Sequence, residues 1–198
     1  MKLHYKKGFD GDYSKLPSRE VEGAVPFKEP ESIEKLSLIA NIIAIFILIA
    51  ACVPIAIVSG GFEALRKVYM DNLFLPIIFC VALLAVLPLH ELLHAICFKE
   101  EVEFYTYLTK GVLFVVGTES FSKARFVFMC LLPNLVFGFI PYILFFVFPS
   151  QILLGFFGAI CICTGAGDYI NVFNALTQMP RGAKCYMNRE HSYWYLGD

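Results

Sequence analysis

Two histidines and a glutamate near residue 90 carry the first chemical signal in this chain. The segment Pro88-Leu89-His90-Glu91-Leu92-Leu93-His94 contains the pattern H-E-x-x-H. On a helix, a spacing of four puts both imidazoles on one face, one turn apart, where they can share a metal ion. Glu91 follows His90 and is turned from it by roughly 100° about the axis. From there its carboxylate can reach a water held by the metal without being a ligand itself. The residue types suit zinc-assisted hydrolysis of an amide: the metal lowers the water pKa to about 7, and the glutamate takes the proton.

The surroundings of this cluster are apolar. Of 198 residues, 58% are hydrophobic and only 17% charged, against about 25% charged in an ordinary soluble domain. There are 20 Phe, and the mean hydropathy is +0.67. A soluble domain of this length cannot hide so much apolar side chain. A disordered chain would be poor in aromatics. The 7 Cys are odd in number, and six sit inside apolar runs, so a disulfide scaffold is excluded as well. A net charge of -1 points to no nucleic-acid partner. The implied partner is a lipid bilayer.

Four apolar runs approach the roughly 20 residues needed to cross hydrocarbon: 36–58, 73–98, 126–148 and 152–173. The predicted fold class is an all-α polytopic membrane protein with four transmembrane helices and a small cytoplasmic β-hairpin after the HExxH helix. Its parts are a polar arm (1–35), a membrane domain (36–176) and a tail (177–198). The hairpin is read over 101–117. There Val102, Phe104, Thr106 and Leu108 alternate with Glu101, Glu103, Tyr105 and Tyr107, and Lys110-Gly111 supplies the turn. The alternating arm residues Lys2 to Lys6 are a candidate extra strand, and the loop around Phe62, Leu65 and Tyr69 a candidate interfacial helix. With four spans, fourteen basic residues fall on one side and two on the other. The positive-inside rule then puts both termini, the hairpin and the HExxH cluster on the cytoplasmic side. No cleavable signal peptide is visible, so the first span would serve as its own insertion signal.

Ionisable residues inside a span cost roughly 2.5–3.5 kcal/mol each, so those present need a stabilising partner. A metal cation is one for His90, Glu91 and His94; hydrogen bonding at the membrane interface is the plainer alternative. An open zinc site needs a third protein ligand. His90 and Asp168 stand about 26 and 24 Å along their helices from the same membrane face, and Asp168 is the one charged residue of its span. Asp168 is therefore the candidate third ligand, with pairing to a basic residue at the interface as the alternative. Thr164-Gly165-Ala166-Gly167 lets backbones approach closely. Asn171, on the Asp168 face, is a candidate substrate or oxyanion contact; helix capping and helix–helix hydrogen bonding explain it equally well. Asn134, after Pro133 in the third span, has the same two readings. Cys97 stands about 10 Å along the axis from His90, too far for both to share one zinc comfortably.

With HELLH on one membrane helix and Gly167-Asp168 on a later one, the chain resembles the bacterial zincin membrane peptidases, which are related to the site-2 intramembrane metalloproteases. The resemblance covers nearly the whole chain, including the Pro133-Asn134 pair; Asp168 is followed by Tyr169 rather than the glycine usual in site-2 proteases. It implies that His90, His94 and Asp168 hold Zn2+, that Glu91 is the base, and that a substrate strand adds to the hairpin edge. The function expected is a membrane-embedded zinc metalloprotease acting on membrane protein or peptide substrates near the cytoplasmic face. The alternative is a non-proteolytic metal-binding membrane protein or an inactive protease-like scaffold.

Overall fold

The computed structural model describes residues 1–30, 32–71 and 74–197. In chain order the elements are β1 (Lys2–Lys6), β2 (Val25–Pro26), α1 (Ile33–Ser59), α2 (Phe62–Asp71), α3 (Phe74–Ala95), β3 (Glu101–Tyr107), β4 (Val112–Val116), β5 (Phe121–Ser122) and α4 (Lys123–Pro133). A π-helical segment (Asn134–Phe139) follows, then α5 (Ile140–Val147), α6 (Ile152–Thr164), α7 (Ala166–Gln178), β6 (Lys184–Asn188) and β7 (His191–Tyr195). The chain divides into two compact units. One comprises Met1–Glu31, Glu91–Leu132 and Asp168–Asp198; the other comprises Ser32–His90 and Pro133–Gly167.

The second unit is helical. Helix α1 starts where Ser32 accepts a hydrogen bond from the Lys35 N–H, and stops at Gly60, whose φ of 85° is left-handed. Its apolar residues run all round the axis. Phe46 and Ile57 are 69% and 76% exposed, which suits lipid contact and not water. Ile55, Phe145, Ile152 and Ala159 form the packed centre, with Ala64, Leu65 and Val68 of α2 against it. Glycines set the closeness of this packing. A Cβ on Gly158 would lie 2.5 Å from the Tyr142 backbone nitrogen and 2.7 Å from the Gly138 carbonyl oxygen. The Tyr142 hydroxyl donates to the Ala51 carbonyl at 2.8 Å.

Among the described residues, three continuous helical runs are long and apolar enough to cross a membrane: Glu34–Ser59, Phe74–Ala95 and Lys123–Val147. The expected straight fourth span over 152–173 is instead a pair, α6 and α7, bent by 51° at Gly165. The expected start of the second span, Leu73, lies outside the described residues, and its helix ends at Ala95 rather than at Phe98. There the Cys97 and Phe98 N–H groups turn back to the carbonyls three residues before them.

The first unit corrects the all-α expectation, because it contains two small sheets. One has the order β1-β3-β4, with β1 parallel to β3 and β4 antiparallel to it. Both faces of β3 are covered. Val102 enters a core with Ala95, Phe126, Cys130 and Ala175, and Tyr105 packs with Phe9, Leu16 and Val116. The strand stops at Tyr107, and Leu108, expected in it, is 79% exposed in a short 3-10 turn. The other sheet, β2-β7-β6-β5, folds most of the segment read as a tail. Its longer strands, KCYMN and HSYWY, lack polar/apolar alternation, and Cys185 and Ser192 turn inward.

A polar clasp holds the exit from α3. The Glu119 carboxylate is only 6% exposed. It accepts the Lys99 and Glu100 N–H groups at 2.6 and 3.0 Å and pairs with Arg125 at 2.6 Å. Arg125 also donates to the Cys97 carbonyl and lies 4.4 Å from the centre of the Phe121 ring. Burial pushes the Glu119 carboxyl up, but the Glu100 and Lys99 N–H groups and Arg125 outweigh it, so its pKa lies below the usual glutamate value. A lowered folded-state pKa means that the clasp contributes fully above the unfolded value of about 4.3 and is lost as pH falls through the folded value. Thermal melts of the purified chain should therefore fall off at acid pH, and Glu119→Gln should flatten that limb. An identical acid limb in the variant would contradict the assignment.

Candidate metal centre

Helix α3 delivers the histidine pair. It carries no charged residue between Phe74 and His90, and its final turns present the HELLH segment. One ligand atom each from His90, Glu91 and His94 lies within 4.8 Å of the others. This is local helical geometry: the spacing of four stacks the two imidazoles, and Glu91 reaches the same region from the adjoining face.

Helix α7 brings the acid. Asp168 lies in its first turn, and its Oδ1 is 3.3 Å from His94 Nε2. Both side chains are largely buried, at 13% and 10% exposed. The other ring nitrogen of His94, Nδ1, lies 3.0 Å from the Met129 carbonyl oxygen. A carbonyl can only accept, so Nδ1 carries the proton and donates it. In the neutral ring, Nε2 then presents a lone pair to a carboxylate oxygen. Two acceptors this close repel unless a proton or a cation lies between them. Nitrogen and oxygen ligands on one tetrahedral zinc stand about 3.3–3.4 Å apart, given zinc–ligand bonds near 2.1 Å. Imidazoles and carboxylates are donors that zinc accepts, and the 3.3 Å between His94 Nε2 and Asp168 Oδ1 falls in that range.

The two asparagines differ. Asn134 opens the π-helical segment and is 1% exposed. Its side-chain amide packs on Gly165, where a Cβ would stand 2.0 Å from Oδ1. That position favours the structural reading of Asn134. Asn171 is half-buried in α7, one turn beyond Asp168. Of the small-residue run, Gly165 makes the close approach, whereas a Cβ on Gly167 would meet nothing within 4 Å. The sequence reading missed Met129, Glu119 and Arg125. Met129 acts through its backbone and leaves no trace in residue type. The other two are ordinary loop and helix-start charges whose pairing depends on the fold.

Residues 83–184, just over half of the chain, match the profile of a family described as putative zincin peptidase. The matched segment holds HELLH and Asp168. No curated protein and no solved structure matches the chain. The histidine pair, its glutamate and this match agree, and the chain belongs to the putative zincin peptidase family.

Proposed function

We propose that the protein is a membrane-embedded zinc metalloprotease, akin to the site-2 proteases, that hydrolyses peptide bonds of membrane or membrane-proximal substrates near the cytoplasmic face. The observation carrying this reading is the HELLH cluster at the end of an apolar helix, with Asp168 3.3 Å from His94. His90, His94 and Asp168 would hold the zinc. When bound, zinc acidifies the attacking water and polarises the scissile carbonyl. Glu91 takes a proton from that water as its oxygen bonds to the carbonyl carbon. It then passes the proton to the amide nitrogen as the C–N bond breaks, releasing a carboxylic acid, which ionises to solvent, and an amine. Asp168 and the Met129 carbonyl fix the His94 ring from both sides. Asn171, one turn beyond Asp168 on α7, would contact the substrate. A substrate backbone must be extended to reach the cluster. In the order β1-β3-β4 both β1 and β4 are outer strands, and a substrate strand would add to the hairpin strand β4.

The orientation rests on the distribution of basic residues. The test is metal content and hydrolysis by the full chain in detergent, with an extended quenched peptide and a transmembrane segment as substrates. One zinc per chain is expected, with cleavage abolished by a chelator and restored by zinc. Stoichiometric zinc without cleavage would instead favour a metal-binding or scaffold protein; absence of zinc would overturn both readings.

A further inference from the structure

We propose that Pro133 is a positioning residue for the metal centre, because having no N–H it leaves the Met129 carbonyl to the His94 imidazole. In an α-helix each carbonyl accepts the N–H four residues later. For Met129 that position is Pro133, inside the continuous run Lys123–Val147. Proline has no donor to offer, so Met129 lacks its α-helical partner. An acceptor deprived of its bond in an apolar setting is costly unless another donor satisfies it. His94 Nδ1, at 3.0 Å, is that donor.

The consequence is a fixed tautomer. With the proton held on Nδ1, the lone pair of Nε2 points toward Asp168, the side on which a cation would be shared. Second-sphere acceptors of this kind orient metal-binding histidines. Here the acceptor is a backbone atom, and the residue that frees it lies a full turn away. A second tie keeps α4 in register: Arg125, one turn before Met129, holds the Cys97 carbonyl, and the Cys97 N–H bonds the His94 carbonyl at 3.1 Å. The same two chain segments are thus joined at two points one turn apart.

The inference rests on the reading of His90, His94 and Asp168 as metal ligands, but its test does not require metal. Pro133→Ala returns an N–H that competes for the Met129 carbonyl. Alanine is also the better helix former, so a purely structural view predicts a protein at least as stable and an unaltered site. The chain has four His, so selective 15N-histidine labelling of the full chain in detergent resolves the His94 ring. Wild type should show the Nδ1–H form. Folded Pro133→Ala should show a mixture of tautomers, and a zinc affinity lower by roughly 10–100-fold. An unchanged His94 signal in the folded variant would overturn the proposal.

Arg125→Lys provides the second arm should Pro133→Ala not fold. It keeps a charge opposite Glu119 but cannot hold both that carboxylate and the Cys97 carbonyl in the same fork geometry. It should shift the His94 signal in the same direction; no shift counts against the proposal. Failure of wild type to bind zinc would overturn the metal reading instead, and the ring signal would still decide this one.

Discussion

Glu91→Gln is expected to lower peptide hydrolysis by roughly 10²–10⁴-fold, the range that a positioned general base contributes. The amide has the shape of the carboxylate but cannot take a proton from water. The imidazoles of His90 and His94 lie on the same helix whatever stands at position 91, so the metal should remain. Some loss of zinc affinity is expected, because the carboxylate sits within 4.8 Å of both histidine ligand atoms and its negative charge favours a cation there. Metal content and turnover must therefore be measured on the same preparation. Equal cleavage by variant and wild type, each with one zinc, would remove Glu91 from the mechanism. A site that only stores metal has no need of a base beside its ligands, so this substitution also separates a peptidase from a metal-binding scaffold.

Gly165→Ala should have the largest effect of any single methyl added to the chain near the site. The new Cβ would stand 2.0, 2.3 and 2.4 Å from Oδ1, Nδ2 and Cγ of Asn134. Those distances are far inside contact, and Asn134 is 1% exposed with nowhere to swing. Overpacking of this kind typically costs about 1–3 kcal/mol. Here the strain falls at the break between α6 and α7, and α7 carries Asp168 in its first turn. The variant should melt at a lower temperature and bind zinc more weakly than wild type. Asn134→Ala in the same chain removes the clash and should restore part of the stability, since the two changes share one contact and are not additive. Full additivity, or a melting temperature like that of wild type for Gly165→Ala alone, would contradict the close packing.

Much of the centre was legible because its chemistry depends on residue type and short spacing. HELLH states its own geometry once it is placed on a helix. Asp168 stood out as the single charge of its apolar run, and a charge there needs a reason. The depth estimate assumed two straight helices. It pointed to Asp168 by matching its depth to that of His90; the contact the structure shows is 3.3 Å between Asp168 and His94, and the helix carrying Asp168 is bent by 51° from the one before it. The small-residue run was read as a whole, yet of its two glycines only Gly165 meets a neighbour closely. Which glycine matters depends on the partner surface, and the chain does not encode that locally. The sheet containing β6 and β7 was missed because KCYMN and HSYWY do not alternate apolar with polar residues, so they carry no period of two.

The sequence alone determined the apolar helices and the residue types and spacing of the HELLH segment. An apolar run of some twenty residues has few ways to satisfy its backbone in lipid other than a helix, and imidazole spacing along a helix is fixed by its pitch. Only the tertiary structure decided what surrounds those side chains. His94 meets Asp168 on one side and the Met129 carbonyl on the other, and Glu119 with Arg125 pins the exit of its helix. These contacts involve residues 25 to 74 positions from His94, or use backbone atoms that every residue possesses. Residue identity cannot announce them. They exist because the chain brings one freed carbonyl, one buried acid and one imidazole to the same few ångströms.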